Sequence, residues 1–113
     1  MIMVILRQRQ IMDIILQSIG FTASDKLREF VNEKLDKFGH HLHNVIRADV
    51  TLTKGPEAEQ RNNYCEMRLE VSGYDHFAKK NSTTFEHDIT ETVDALEHMV
   101  EKAKEKDMSK RHA

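Results

Sequence analysis

The sequence predicts an α+β fold of order β-α-β-β-β-α, a two-layer sandwich with both helices on one face of a four-stranded sheet. Three observations predict it. Apolar residues alternate in two stretches and recur at helical spacing in two others. A threonine with an acid three residues on precedes each helical stretch. Each apolar stripe is one-sided, so each layer has to be covered by another.

The first strand is the short, β-branched run from Met12 to Ser18. Thr22, with Asp25 three residues on, reads as a variant capping box, and Phe21 before it reads as the hydrophobic staple. Leu27, Phe30, Val31, Leu35 and Phe38 then form one helical stripe, and Gly39 reads as the glycine that ends the helix. His40 to Asn44 is a polar connection.

From Val45 the period changes to two. Ile46, Ala48, Val50 and Leu52 face one way, and Arg47, Asp49, Thr51 and Thr53 face the other. Gly55 and Pro56 break this strand, and a polar loop runs to Asn63. The third strand sets Cys65, Met67, Leu69 and Val71 against Tyr64, Glu66, Arg68 and Glu70. Gly73 marks a turn, and a fourth strand runs from about Phe77 to Asn81.

Thr83, with Glu86 three residues on, reads as the second capping box. Phe85, Ile89, Val93, Leu96, Val100 and Ala103 give the second helical stripe. The domain thus spans 12–106, with 107–113 a tail and 1–11 an N-terminal extension; the rival reading of 1–11 is an added edge strand. The crossover between the first two strands is expected to be right-handed. The expected core is Leu27, Val31, Leu35, Val50, Leu52, Met67, Leu69, Ile89, Val93, Leu96 and Val100.

With 113 residues the chain fits one domain and one core. Its 39% hydrophobic and 32% charged content is that of a globular chain. The net charge is −2, so any nucleic-acid surface has to come from segregated charge. Cys65 is the only cysteine, which excludes an intrachain disulfide and makes a reducing cytoplasm the simplest compartment. Met1 to Leu6 is too short to span a bilayer and lacks the flanks of a signal peptide.

On a helical wheel, Asp25, Glu29, Glu33 and Asp36 lie behind the first stripe, with Lys26 and Lys37 on one flank and Arg28 on the other. Lys34 breaks the pattern by falling within the stripe. In the second helix Asp94, Glu97, Glu101 and Glu105 form the back; Lys102 and Lys106 take one flank and Lys104 the other. Two readings stand. The basic shoulders line an inter-helix groove that tracks a phosphate backbone. Alternatively they are solvated surface, with Lys34 laying its methylenes on the core.

His40, His41 and His43, with His76, His87 or Cys65, match no zinc spacing, and a solvated loop is the better reading. Cys65 lies on an apolar face and reads as a small buried hydrophobe. No carboxylate pair of catalytic spacing, Gly-rich phosphate loop or nucleophile elbow is present. The expectation is therefore no enzyme, no catalytic residue, no metal and no cofactor.

The helix L-R-E-F-V-N-E-K-L-D-K-F from Leu27 to Phe38 resembles the first helix of the ribosome hibernation promoting factors. That family includes the ribosome-associated inhibitor called protein Y and the sigma-54 modulation proteins. D-I-I-L-Q-S-I-G-F-T-A-S before it, N-V-I-R-A-D-V-T-L after it, the G-Y-D-H-F-A turn and the closing V-D-A-L-E-H-M-V-E-K-A-K-E-K fit too. The resemblance runs from about Met12 to Lys106 and is to the short type.

It implies a cytoplasmic translation inhibitor of stress or stationary phase, with the small (30S) ribosomal subunit and 16S rRNA as partners. Such a protein occupies the mRNA and tRNA channel, on 70S or paired ribosomes, and engages neither membrane nor DNA. The family's basic positions fall here on Arg28, Lys34, Lys37, Lys102, Lys104 and Lys106, with Lys79 and Lys80 as compensating charge. Two departures stand out. Thr84, Phe85 and Glu86 replace an Asp-Met-Tyr turn, and Ala95 and His98 replace basic residues. The competing readings are a double-stranded RNA-binding module, a protein-interaction module and a small enzyme with its site in the His-rich loop. The first relies on a Lys-rich start to its last helix, where this chain has Thr84, Phe85, Glu86, His87 and Asp88.

Overall fold

The computed structural model describes residues 12–41, 45–71 and 74–112. Its elements are β1 (Asp13–Ile19), α1 (Asp25–His41), β2 (Val45–Lys54), β3 (Asn63–Val71), β4 (Tyr74–Ser82) and α2 (Phe85–His112). The strands form one sheet in the order β1-β2-β3-β4. β1 lies parallel to β2 after the α1 crossover, and the later strands form an antiparallel meander. This is the expected architecture. The extension at 1–11, the His43 position and the Gly73 turn lie outside the described residues.

Alternation along β2 and β3 gives the sheet one apolar face, because neighbouring side chains on a strand point to opposite sides. Ala48, Val50, Leu52, Cys65, Met67, Leu69 and Ala78 are buried on that face. Leu27, Val31, Leu35 and Phe38 of α1 and Ile89, Val93, Leu96 and Val100 of α2 join them in a single cluster. Every residue of the expected core is buried. Both helices therefore cover the same side of the sheet, and the other side faces solvent.

Several local boundaries differ from the sequence expectation. β1 ends at Ile19, and Gly20 follows with φ +83. A Cβ there would stand 2.8 Å from the Lys54 carbonyl oxygen, so only glycine fits this turn against β2. Ser24, not Thr22, caps α1: the Leu27 N–H donates to Ser24 Oγ at 3.1 Å. The displacement follows from Phe21, whose ring stacks on Phe85 with centroids 4.5 Å apart, and from the buried Ala23; together they hold the entry segment against the core. Phe21 is thus an inter-element contact instead of a staple. The helix also continues past Gly39 to His41, carried by the buried Phe38.

β2 opens with a β-bulge between Val45 and Arg47. The extra residue turns Val45 into the core and leaves Ile46 half exposed, reversing the expected inward position of Ile46. β4 is longer than expected, from Tyr74 to Ser82. α2 is capped by Thr84 instead of Thr83, with the His87 N–H donating to Thr84 Oγ1 at 3.2 Å. Thr83 is held by the sheet instead, its carbonyl accepting from Asn63 Nδ2 at 2.7 Å. α2 then runs on to His112, past the point at Lys106 where its apolar period stops.

Candidate functional site

The register of the sheet decides which face each basic residue of a strand joins. Lys79 stands opposite Glu66, whose neighbours Cys65 and Met67 are buried, so Lys79 is on the solvent face. Lys80 stands opposite Cys65 and so belongs to the helix side, exposed on the edge strand. The two lysines point to opposite sides of the sheet and cannot serve one surface.

On the solvent face every cation meets an acid. Arg47 reaches Asp49 at 3.2 Å and, across the strands, Glu70 at 3.5 Å. Arg68 lies 4.0 Å from Asp75. Lys79 Nζ lies 3.3 Å from Glu66 and 5.7 Å from the centre of the Tyr64 ring. Arg47–Asp49 lies along β2, and the other three pairs are directly opposed or diagonal cross-strand neighbours, where opposite charges attract and are mutually screened.

The helix side differs. Arg28, Lys102 and Lys106 are exposed and Lys34 is half-buried, and none forms an ion pair with a described residue. Lys34 Nζ lies 5.4 Å from the centre of the Phe30 ring, which itself packs on the core. This explains how a lysine occupies the apolar stripe: its stem covers apolar surface, and its ammonium rests over a ring face. The charge stays available to an outside anion.

At 100° per residue, Lys26, Phe30, Lys34 and Lys37 fall on one flank of α1, and Arg28 falls on the opposite one. Lys102 and Lys106 likewise share a flank of α2 that Lys104 does not. The side chains of Lys37 and Lys104 lie outside the described ones. Arg28 therefore lies on the flank of α1 away from Lys26 and Lys34, so the helical cations divide between flanks. Lys26, a basic shoulder by its spacing of four from Phe30 and eight from Lys34, shares the Lys34 flank, although the family resemblance names no contact there.

Cys65 is fully buried, and burial pushes its thiol up to about 12, with the Thr92 hydroxyl pulling the other way. A thiol so far from ionising is a core residue, not a nucleophile. Among the described residues no group of three or more His, Cys, Asp or Glu side chains is placed to hold a metal ion. No described helix is long and apolar enough to cross a membrane.

The fold is similar to that of the Thermus thermophilus Protein Y N-terminal domain, with a TM-score of 0.70 and 19% identity over 80% of this chain and 97% of that one. It is also similar to a ribosomal subunit interface protein from Coxiella burnetii, with a TM-score of 0.72 and 16% identity over 81% of this chain and 97% of that one. At these identities the likeness shows the fold. A comparison with curated proteins finds no match. The family model described as sigma 54 modulation protein / S30EA ribosomal protein matches residues 14–108, most of the chain, and the protein accordingly belongs to that family.

Proposed function

We propose that this protein binds the small ribosomal subunit through its helix side, occupies the channel used by mRNA and tRNA, and idles translation. Membership of a ribosome-associated family supports the target. The observation that favours the helix side is charge pairing: Arg28, Lys34, Lys102 and Lys106 form no ion pair with a described residue, whereas Arg47, Arg68 and Lys79 of the opposite sheet face are paired with acids. Lys34, Lys37, Lys102 and Lys106 are the leading phosphate contacts, with Arg28, Lys104 and Lys80 further out. Lys79 contributes least, being held by Glu66. The protein acts without catalysing a reaction, in the cytoplasm, on 30S, 70S or paired ribosomes.

The double-stranded RNA-binding alternative has less support. α2 opens on Glu86, His87 and the buried Asp88, which give phosphate no basic start. Sedimentation of cell lysate through a sucrose gradient separates the readings. The proposal requires co-migration with 30S, 70S or paired ribosomes; a protein that stays at the top of the gradient in stationary-phase lysate at low salt rejects it.

A further inference from the structure

Asp88 has no exposed surface, and neither of its carboxylate oxygens has a hydrogen-bond partner among the described residues. It sits in the first turn of α2, over the ends of β3 and β4. The hydroxyls around it are engaged elsewhere. Ser82 Oγ donates to the Thr84 carbonyl at 2.8 Å, and Thr92 Oγ1 donates to the backbone carbonyl of Asp88 at 2.6 Å. The thiol of Cys65 on β3 is buried nearby. A buried carboxylate anion without a donor is far more costly than the neutral acid, which loses only hydrogen bonds. The proposed ribosome interface makes no use of this group.

We propose that Asp88 carries its proton in the folded chain, so that the first turn of α2 is seated more firmly on the sheet in acid than at neutral pH. The charged or titratable groups facing it are His87 and Glu91 on α2, Arg61 from the 55–62 loop and Cys65 on β3; β4 presents the uncharged Ser82. Burial pushes the Asp88 carboxyl up. The Ser82 hydroxyl, although its hydrogen bond goes to the Thr84 carbonyl, lies close enough to pull the other way, as do His87 and Arg61; Glu91 adds to the rise, and burial outweighs them, so the net shift is upward.

The direction of the pH effect follows from proton binding. An unfolded Asp releases its proton near about pH 3.9. Above that value the folded chain still holds the proton that the unfolded chain has lost. Stability from this residue is therefore full below about pH 3.9 and declines as pH rises through the raised folded value. The unfolding equilibrium constant changes by up to about tenfold per pH unit within that window. His76 acts oppositely: burial lowers it, so its share of stability is lost as pH falls below about 6.5. It is common to wild type and Asp88 variants and cancels in their difference.

Two measurements on the full chain test the proposal. The first follows the Asp88 side-chain carboxyl carbon by NMR through a pH titration of the wild-type protein. The second compares urea unfolding of wild type, Asp88→Asn and Asp88→Ala between about pH 8 and about pH 4. The expected results are a carboxyl midpoint clearly above the ordinary Asp range, and a stability of Asp88→Asn relative to wild type that is greatest at the alkaline end and shrinks towards acid. A wild-type midpoint at or below about 4 overturns the proposal. So does a variant-to-wild-type ratio that stays constant with pH. If neither variant folds, the wild-type titration alone decides.

Discussion

The two faces of this small sandwich carry the same kinds of charged residue and treat them in opposite ways. On the sheet's solvent face, Arg47, Arg68 and Lys79 sit within 4.0 Å of Asp or Glu carboxylates held in place by strand pairing. On the helix side, Arg28, Lys34, Lys102 and Lys106 have no described ion-pair partner. The wheel separates acids from bases on each helix, whereas the cross-strand ladder juxtaposes them. A chain of net charge −2 can thus present cationic stripes to a polyanion, because geometry and not composition sets the local field.

The largest expected effect comes from the layer that both faces share. Leu69 is fully buried beneath the helices. Leu69→Ala should cost about 2–5 kcal/mol of folding stability, read by urea unfolding. A cost well below that range would mean that the two layers are less tightly joined than their common core implies.

Charge changes on the two faces sharpen the comparison directly. Lys34→Glu places a negative charge beside Phe30 where phosphate is proposed to sit. It should weaken 30S binding about tenfold or more, with circular dichroism unchanged. The slope of log affinity against log salt should become shallower, by roughly 0.7 per lost phosphate contact on the single-strand scale. Lys79→Ala removes a charge of the same sign from the other face. It should leave 30S affinity unchanged and cost less than about 1 kcal/mol of stability. Equal loss of binding in the two variants would erase the distinction between the faces. The smallest effect is expected from deleting residues 1–11, which we propose are dispensable: melting temperature and ribosome binding should both stay close to wild type. A marked fall in melting temperature would instead identify them as a strand of the domain.

Much of the fold was legible because β2 and β3 alternate over most of their length and both helices carry one stripe. What was not legible depends on partners distant in sequence. Thr22 and Ser24 both offer a cap, as do Ser82, Thr83 and Thr84. The Phe21–Phe85 stack and the Asn63–Thr83 hydrogen bond make the choice. The bulge that buries Val45 and exposes Ile46 belongs to a strand pair, not to one strand. The site was legible in the same uneven way. Lys34 announced itself by interrupting a stripe, but its ring contact with Phe30 needed a rotamer. Simple alternation already assigns Lys79 and Lys80 to opposite faces. The neutralisation of Lys79 by Glu66 required the β3–β4 register, which no single strand encodes.

The position of β1 also bears on how the molecule assembles. β2, β3 and β4 are joined by short connections and pair as neighbours in sequence, whereas β1 reaches β2 only after the whole of α1 has intervened. Non-local parallel pairing fixes more chain before any contact rewards it. The meander with α2 should therefore organise first, and β1 should dock late. Leu16, half-buried on β1 and packed against the core, reports on that step. In stopped-flow measurements Leu16→Ala should accelerate unfolding while leaving the refolding rate nearly unchanged. The same truncation at Met67, at the centre of the meander, should slow refolding. β1, the first of the described strands, should then be the last of them to join the sheet and the first to leave it.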